Sequence, residues 1–213
     1  MSSVDPQAPI NQPVKVLVVD DDPALRGALN GVLDMQGYDV LEADSRKSAL
    51  ALLESQTDVA VIILDLGMPP AVHSTEEGLA VIKALSAMMY PAKIIVLTGQ
   101  DHEQSAFEAI REGAFDFLSK PASVEDILQS VKRAKLFYRK EQALAEEGTT
   151  RLQFNAKISD GLKAVREDAE EKLVRQVLKD TGFNIYASAA RLGLKRESLY
   201  YFLKKFEIKR DDS

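Results

Sequence analysis

VAVIILDLGMPPAVHSTEEG, residues Val59–Gly78, runs six apolar residues straight into a carboxylate and then into a loop with two prolines and a histidine. An unbroken apolar run followed by turn residues predicts a strand buried on both faces, Val59–Leu64. Similar short runs occur at Val14–Val19, Tyr38–Ala43, Lys93–Leu97 and Phe115–Leu118. Segments of helical period begin between them, near Pro23, Ser45, Glu76 and His102, and again after Ser123. Asp22-Pro23 marks the first of these starts, because Asp caps free N–H groups and Pro tolerates the first helical position. Regular strand–helix alternation with apolar central strands predicts an α/β domain, a doubly wound five-stranded parallel sheet covered on both faces.

Composition narrows the partners. The 213 residues are 46% hydrophobic, enough to bury at least one core, and contain no Cys, which excludes disulfides and thiolate metal sites. The longest apolar run is far too short to cross a bilayer and nothing at the start resembles a signal peptide, so a soluble cytoplasmic protein without a membrane partner is expected. Charge is unevenly distributed. Residues 13–136 carry 11 Lys+Arg against 19 Asp+Glu, net −8, whereas residues 183–210 carry 7 against 2, net +5. An acidic module joined to a small basic one suggests two partners, the second anionic.

In doubly wound sheets functional groups collect at the C-terminal strand ends. Asp20-Asp21-Asp22, Asp65, Thr98 and Lys120-Pro121 follow the first, third, fourth and fifth strands. Carboxylates brought together there repel one another unless a hard cation joins them, and Mg2+, with its preference for oxygen and retained waters, suits such a site. Mg2+ recruits phosphate oxygens, Lys120 adds positive charge, the Thr98 hydroxyl can donate to a phosphoryl oxygen, and Asp65 is then the nucleophile towards phosphorus.

On these residues the resemblance is specific. Residues 13–136 resemble the receiver domain of bacterial two-component response regulators in KVLVVDDD (Lys15–Asp22), ILDLGMP (Ile63–Pro69), VLTG (Val96–Gly99) and FDFLSKP (Phe115–Pro121). The resemblance implies a CheY-like sheet of order 2-1-3-4-5, with Asp65 as phosphoacceptor. It further implies Mg2+ held by Asp20, Asp21, Asp65 and the Gly67 carbonyl, phosphoryl recognition by Thr98 and Lys120, and a rotamer switch at Phe117. It implies a cis Lys120–Pro121 bond and a sensor histidine kinase as donor. The stretch from Pro69 to Gly78 is longer than this family's usual connection, and a lid over the acceptor is the expected consequence; a chemical role for His73 is a weaker alternative.

Residues 137–167 read as a helical linker rich in both charges, either a solvated spacer or a dimerising coiled coil. Three short helical patterns follow, Glu170–Asp180, Ile185–Leu192 and Glu197–Phe206. Residues 168–210 resemble the Fis-type helix-turn-helix of NtrC-like activators, through NIYASAARLGLKRESLYYFLKKF at Asn184–Phe206. In a helix-turn-helix the second helix enters the major groove, which makes Lys195, Arg196, Glu197, Ser198, Tyr200 and Tyr201 the candidate contacts to bases or backbone. Lys204 and Lys205 are candidates for phosphates. No G-x-x-x-x-G-K-[ST] loop is present, so the ATPase module of NtrC-like activators is missing and no enzyme activity is expected.

The reading is a response regulator that accepts a phosphoryl group on Asp65 with Mg2+, forms a homodimer, and binds double-stranded DNA at a two-fold operator to regulate transcription. The alternative is a receiver-based signalling adaptor or phosphorelay intermediate whose C-terminal helices only dimerise.

Overall fold

A computed structural model describes residues 13–70, 74–99, 103–147, 149 and 161–209. The chain divides into two compact units, Met1–Thr149 and Thr150–Ser213.

The first unit alternates β1 (Val14–Val19), α1 (Pro23–Met35), β2 (Tyr38–Ala43), α2 (Arg46–Ser55), β3 (Val59–Asp65), α3 (Glu76–Ala87), β4 (Lys93–Thr98), α4 (Glu103–Glu112), β5 (Asp116–Ser119) and α5 (Val124–Glu146). All strand pairs are parallel, in the order β2-β1-β3-β4-β5. Every residue of β3 is buried, because it lies at the centre of the sheet with helices on both faces. Alternate residues feed two cores. Leu17, Val19, Ile62, Leu64 and Val96 join α2 and α3 on one face, while Val16, Val18, Val61, Ile63, Ile95 and Leu97 meet Leu33 of α1 and Val131 of α5 on the other. Full burial of each such side chain contributes roughly 1.5–3 kcal/mol.

Local chemistry sets the helix starts. Asp22 accepts from the Ala24 N–H at 2.8 Å, ahead of Pro23 in the first turn of α1. Ser45 and Ser48 form a reciprocal capping box on α2, and Ser123 accepts from the Asp126 N–H at 3.1 Å to start α5. β3 and β4 each run one residue past the sequence expectation, through Asp65 and Thr98, because the ladder pairs Asp65 with Leu97 and Thr98 with Ser119. β5 is displaced by one residue, to Asp116–Ser119. The Phe115 and Phe137 rings lie 5.2 Å apart, and Lys93 pairs with Glu141. The α5 helix therefore continues beyond 136 while still packed on the first unit, and the opening part of the expected linker is docked rather than a free spacer.

The second unit contains α6 (Gly161–Asp180), α7 (Ile185–Arg191) and α8 (Arg196–Lys205). The α6 helix begins nine residues before the expected Glu170, its charged first turns having masked the period. Val174, Leu178, Ala189, Leu199 and Ile208 form its core. Asn184 caps α7 through the Ala187 N–H at 3.1 Å. Gly193, at φ 66°, ends α7 and permits the tight turn into α8, a conformation costly for any residue with a Cβ.

Candidate functional site

Four strand ends meet at the C-terminal edge of the sheet. Asp20 follows β1 and is buried; Asp21 beside it is half-buried; Asp65 ends β3 and Thr98 ends β4, both buried. Oxygens of Asp20, Asp21 and Asp65 lie within 4.8 Å of one another. The Lys120 ammonium bridges two of these acids, 2.8 Å from Asp20 Oδ2 and 3.1 Å from Asp65 Oδ1. Its backbone N–H donates to the Thr98 carbonyl at 2.6 Å, which ties the loop after β5 to the end of β4. Lys120–Pro121 is cis, as the resemblance implies, and Pro69–Pro70 is cis as well.

Burial raises the Asp65 carboxyl above its ordinary range, and the nearby Asp20 charge raises it further; Lys120 and the Gly67 N–H pull against both. For Lys120, burial disfavours the ammonium, but its hydrogen bond to Asp20 and the charges of Asp65 and Asp20 outweigh that and raise it. Three carboxylates against one ammonium leave an excess of negative charge in a site that is largely out of water. That donor set, all oxygen and too crowded to stand alone, fits a hard divalent cation such as Mg2+.

Beside this cluster a cavity of about 130 Å³ opens between Thr98, Gly99, Ala106, Phe107, Phe117 and Ser119. Among the described residues, Thr98 Oγ1 makes a long contact to the Gly99 carbonyl, 3.4 Å, and Phe117 on β5 is 39% exposed. Both expected switch residues thus line one space. Phe107, 71% exposed on α4, shares it and was not foreseen, because its helix period alone does not reveal which face meets the cavity.

Gly78 has a role that composition could not disclose. It sits in the first turn of α3, where a Cβ would lie 2.5 Å from Leu66 Cα and 2.9 Å from the Asp65 carbonyl. The helix thus packs directly on the backbone that carries the acceptor. Of the longer loop before it, Ala71–His73, including His73, lie outside the described residues. Its far end is tied down, with the Thr75 and Ser105 hydroxyls 3.1 Å apart.

These observations meet the sequence comparisons at one point. Residues 16–132, more than half of the chain, match the profile of the response regulator receiver domain. The chain belongs to the response regulators. Among relatives of this receiver protein is the C4-dicarboxylate transport transcriptional regulatory protein DctD of Rhizobium meliloti, 29% identical over 92% of the chain and 41% of DctD. Another is the response regulator MprA of Mycolicibacterium vanbaalenii, 36% identical over 56% of the chain and 49% of MprA. The chain spans less than half the length of either. A solved receiver domain from Clostridium thermocellum superposes with a TM-score of 0.55 at 26% identity, covering 59% of this chain and 97% of that one. Residues 165–206 match the bacterial regulatory protein, Fis family.

In the Fis-type segment, Lys195 stands at the N-cap position of α8 without a side-chain cap bond, Lys195, Arg196, Glu197, Tyr200, Tyr201 and Lys204 are exposed, and Ser198 is half-buried. Arg196, Tyr200 and Lys204 recur every fourth residue and so share one face of the helix. Leu199 is fully buried and anchors the adjoining side of the helix in the core of the unit. Lys205 differs from the others, because its ammonium lies 3.3 Å from Glu167 and 3.4 Å from Glu170 of α6. Among the described residues no helix is long and apolar enough to cross a membrane.

Proposed function

We propose that this chain is a phosphorylation-controlled transcription regulator, with a receiver at 13–136, a linker at 137–167 and a DNA-binding module at 168–210. It is a regulator rather than an enzyme. The convergence of Asp20, Asp21 and Asp65 under the Lys120 ammonium carries the reading.

In the proposed mechanism a sensor histidine kinase presents a phosphohistidine to Asp65. The acids Asp20, Asp21 and Asp65, with the Gly67 carbonyl, would hold Mg2+, which would supply positive charge to offset that of the phosphoryl oxygens. An Asp65 carboxylate oxygen attacks phosphorus in line. The O–P bond forms as the P–N bond breaks, and the bonding pair stays with the donor imidazole. Lys120, already within 3.1 Å of Asp65, turns its ammonium to an equatorial oxygen. Thr98 donates its hydroxyl to another and withdraws from the cavity, which Phe117 enters, altering the surface of β5. The altered surface favours a homodimer, and two copies of α8 then read a two-fold operator in double-stranded DNA, with Lys195, Arg196, Glu197, Ser198, Tyr200 and Tyr201 at the groove and Lys204 on phosphate. Both the kinase and the DNA place this chemistry in the cytoplasm.

The test treats the full chain with acetyl phosphate and Mg2+. Wild type should gain one phosphoryl group by intact mass and Asp65→Asn none; labelling that persists in Asp65→Asn refutes the acceptor. Selection of genomic fragments by the phosphorylated and unphosphorylated protein tests the second half. Enrichment of a two-fold sequence supports an operator, whereas sequence-independent, salt-sensitive retention supports the adaptor reading instead.

A further inference from the structure

Asp20 is held at every polar group it has. Its N–H donates to the Ala43 carbonyl at 3.2 Å, Oδ1 accepts from the Asp22 N–H at 2.9 Å, and Oδ2 accepts from Lys120 at 2.8 Å. The fourth contact comes from outside the strand-end cluster. Arg26, in the first turn of α1, donates through Nη1 to the Asp20 carbonyl at 2.7 Å. Its side chain is 17% exposed, and its Nε faces Glu42 Oε2 on β2 at 3.4 Å. Glu42 is itself engaged on its other oxygen by Asn30 Nδ2 at 2.5 Å. The guanidinium therefore spans from the end of β1 to the end of β2, a two-ended geometry that its planar fork allows and a single ammonium does not.

We infer that Arg26 is a positioning residue for the cation site: held by Glu42, it fixes the main chain at Asp20 and so the direction in which the Asp20 and Asp21 carboxylates leave the strand. The inference rests on the reading of Asp20, Asp21 and Asp65 as ligands. Groups that orient ligands from behind commonly change metal affinity 10–100-fold when removed. Charge and positioning predict opposite signs here. Losing a guanidinium beside an acidic cluster removes repulsion and by itself tightens cation binding, so weaker binding isolates the positioning contribution.

The full chain, freed of metal, is titrated with Mg2+ by calorimetry as wild type, Arg26→Gln, Arg26→Lys, Glu42→Gln and Lys15→Gln, with melting temperatures recorded in the absence of metal. Lys15→Gln removes a salt bridge to Asp58 at the opposite end of β1 and serves as the stability control. Arg26→Gln should raise the Mg2+ dissociation constant by about tenfold. Arg26→Lys should recover part of that loss, since an ammonium can still reach the Asp20 carbonyl, Glu42→Gln should weaken binding to a smaller extent, and Lys15→Gln should leave it unchanged. Wild-type or tighter affinity in Arg26→Gln overturns the inference, as does an equal loss in Lys15→Gln. Should Arg26→Gln not fold, Arg26→Lys and Glu42→Gln decide, and wild-type affinity in both overturns it. A wild type that binds no Mg2+ overturns the cation-site reading itself and the role of Arg26 with it.

Discussion

Single residues set the tolerances of the site. Gly78→Ala places a Cβ 2.5 Å from Leu66 Cα, a backbone atom that cannot rotate away. Overpacking of this kind costs about 1–3 kcal/mol, and here the strain falls on the strand end that carries Asp65. Urea denaturation should show that loss, together with slower labelling by acetyl phosphate; unchanged stability would mean that α3 moves off β3 freely. Tyr90 gives a pH signature. Burial pushes its hydroxyl up to about 12, and it donates to the Gln56 carbonyl. The folded state therefore holds this proton more tightly than the unfolded chain, whose tyrosines titrate near ~10. The stability it contributes is complete below the unfolded value and is lost as pH rises through the folded one. Denaturation midpoints should fall between about pH 10 and 12, and Tyr90→Phe should flatten that fall. The acids at the strand ends and Lys120 could be found from residue type and place, whereas Gly78 and Arg26 could not. A helical Gly and a helical Arg carry no signal until the neighbouring backbone is in position.

At the level of elements, α8 separates two lysines that look equivalent in sequence. Lys204 is exposed on the face of Arg196 and Tyr200, whereas Lys205 is held by Glu167 and Glu170. Each phosphate contact releases a counterion, so Lys204→Ala should reduce the slope of log affinity against log salt by about one. Lys205→Ala should leave that slope nearly unchanged and instead lower the melting temperature of the second unit by a little, as expected for partly exposed pairs. Equal slope changes for the two would place Lys205 on DNA after releasing its acids. The α5 helix makes a related point. Its period continues smoothly across 136, but it takes tertiary contacts, the Phe115–Phe137 rings, Tyr138 against the core and the Lys93–Glu141 pair, to reveal that the extension is docked on the first unit.

For the whole molecule, phosphorylation should act through the number of copies. Light scattering over a wide concentration range should give a larger mass for the phosphorylated protein than for Asp65→Asn; identical masses would separate phosphorylation from dimerisation. On the proposed function, the acidic balance of residues 13–136 and the basic balance of 183–210 assign the DNA contact to the second unit, since the first would repel a polyanion. Sequence alone determined the alternation of strands and helices, the sheet class, the acids at the strand ends and the helix-turn-helix, because periodicity and capping are local and survive in one dimension. Tertiary structure decided what depends on distance between remote segments. It set Lys120 between Asp20 and Asp65, opened the cavity shared by Thr98 and Phe117, pressed α3 onto β3 at Gly78, and turned Arg26 towards the Asp20 carbonyl. Each of these rests on side chains or backbone brought together only when both faces of the sheet are packed, which no local pattern encodes.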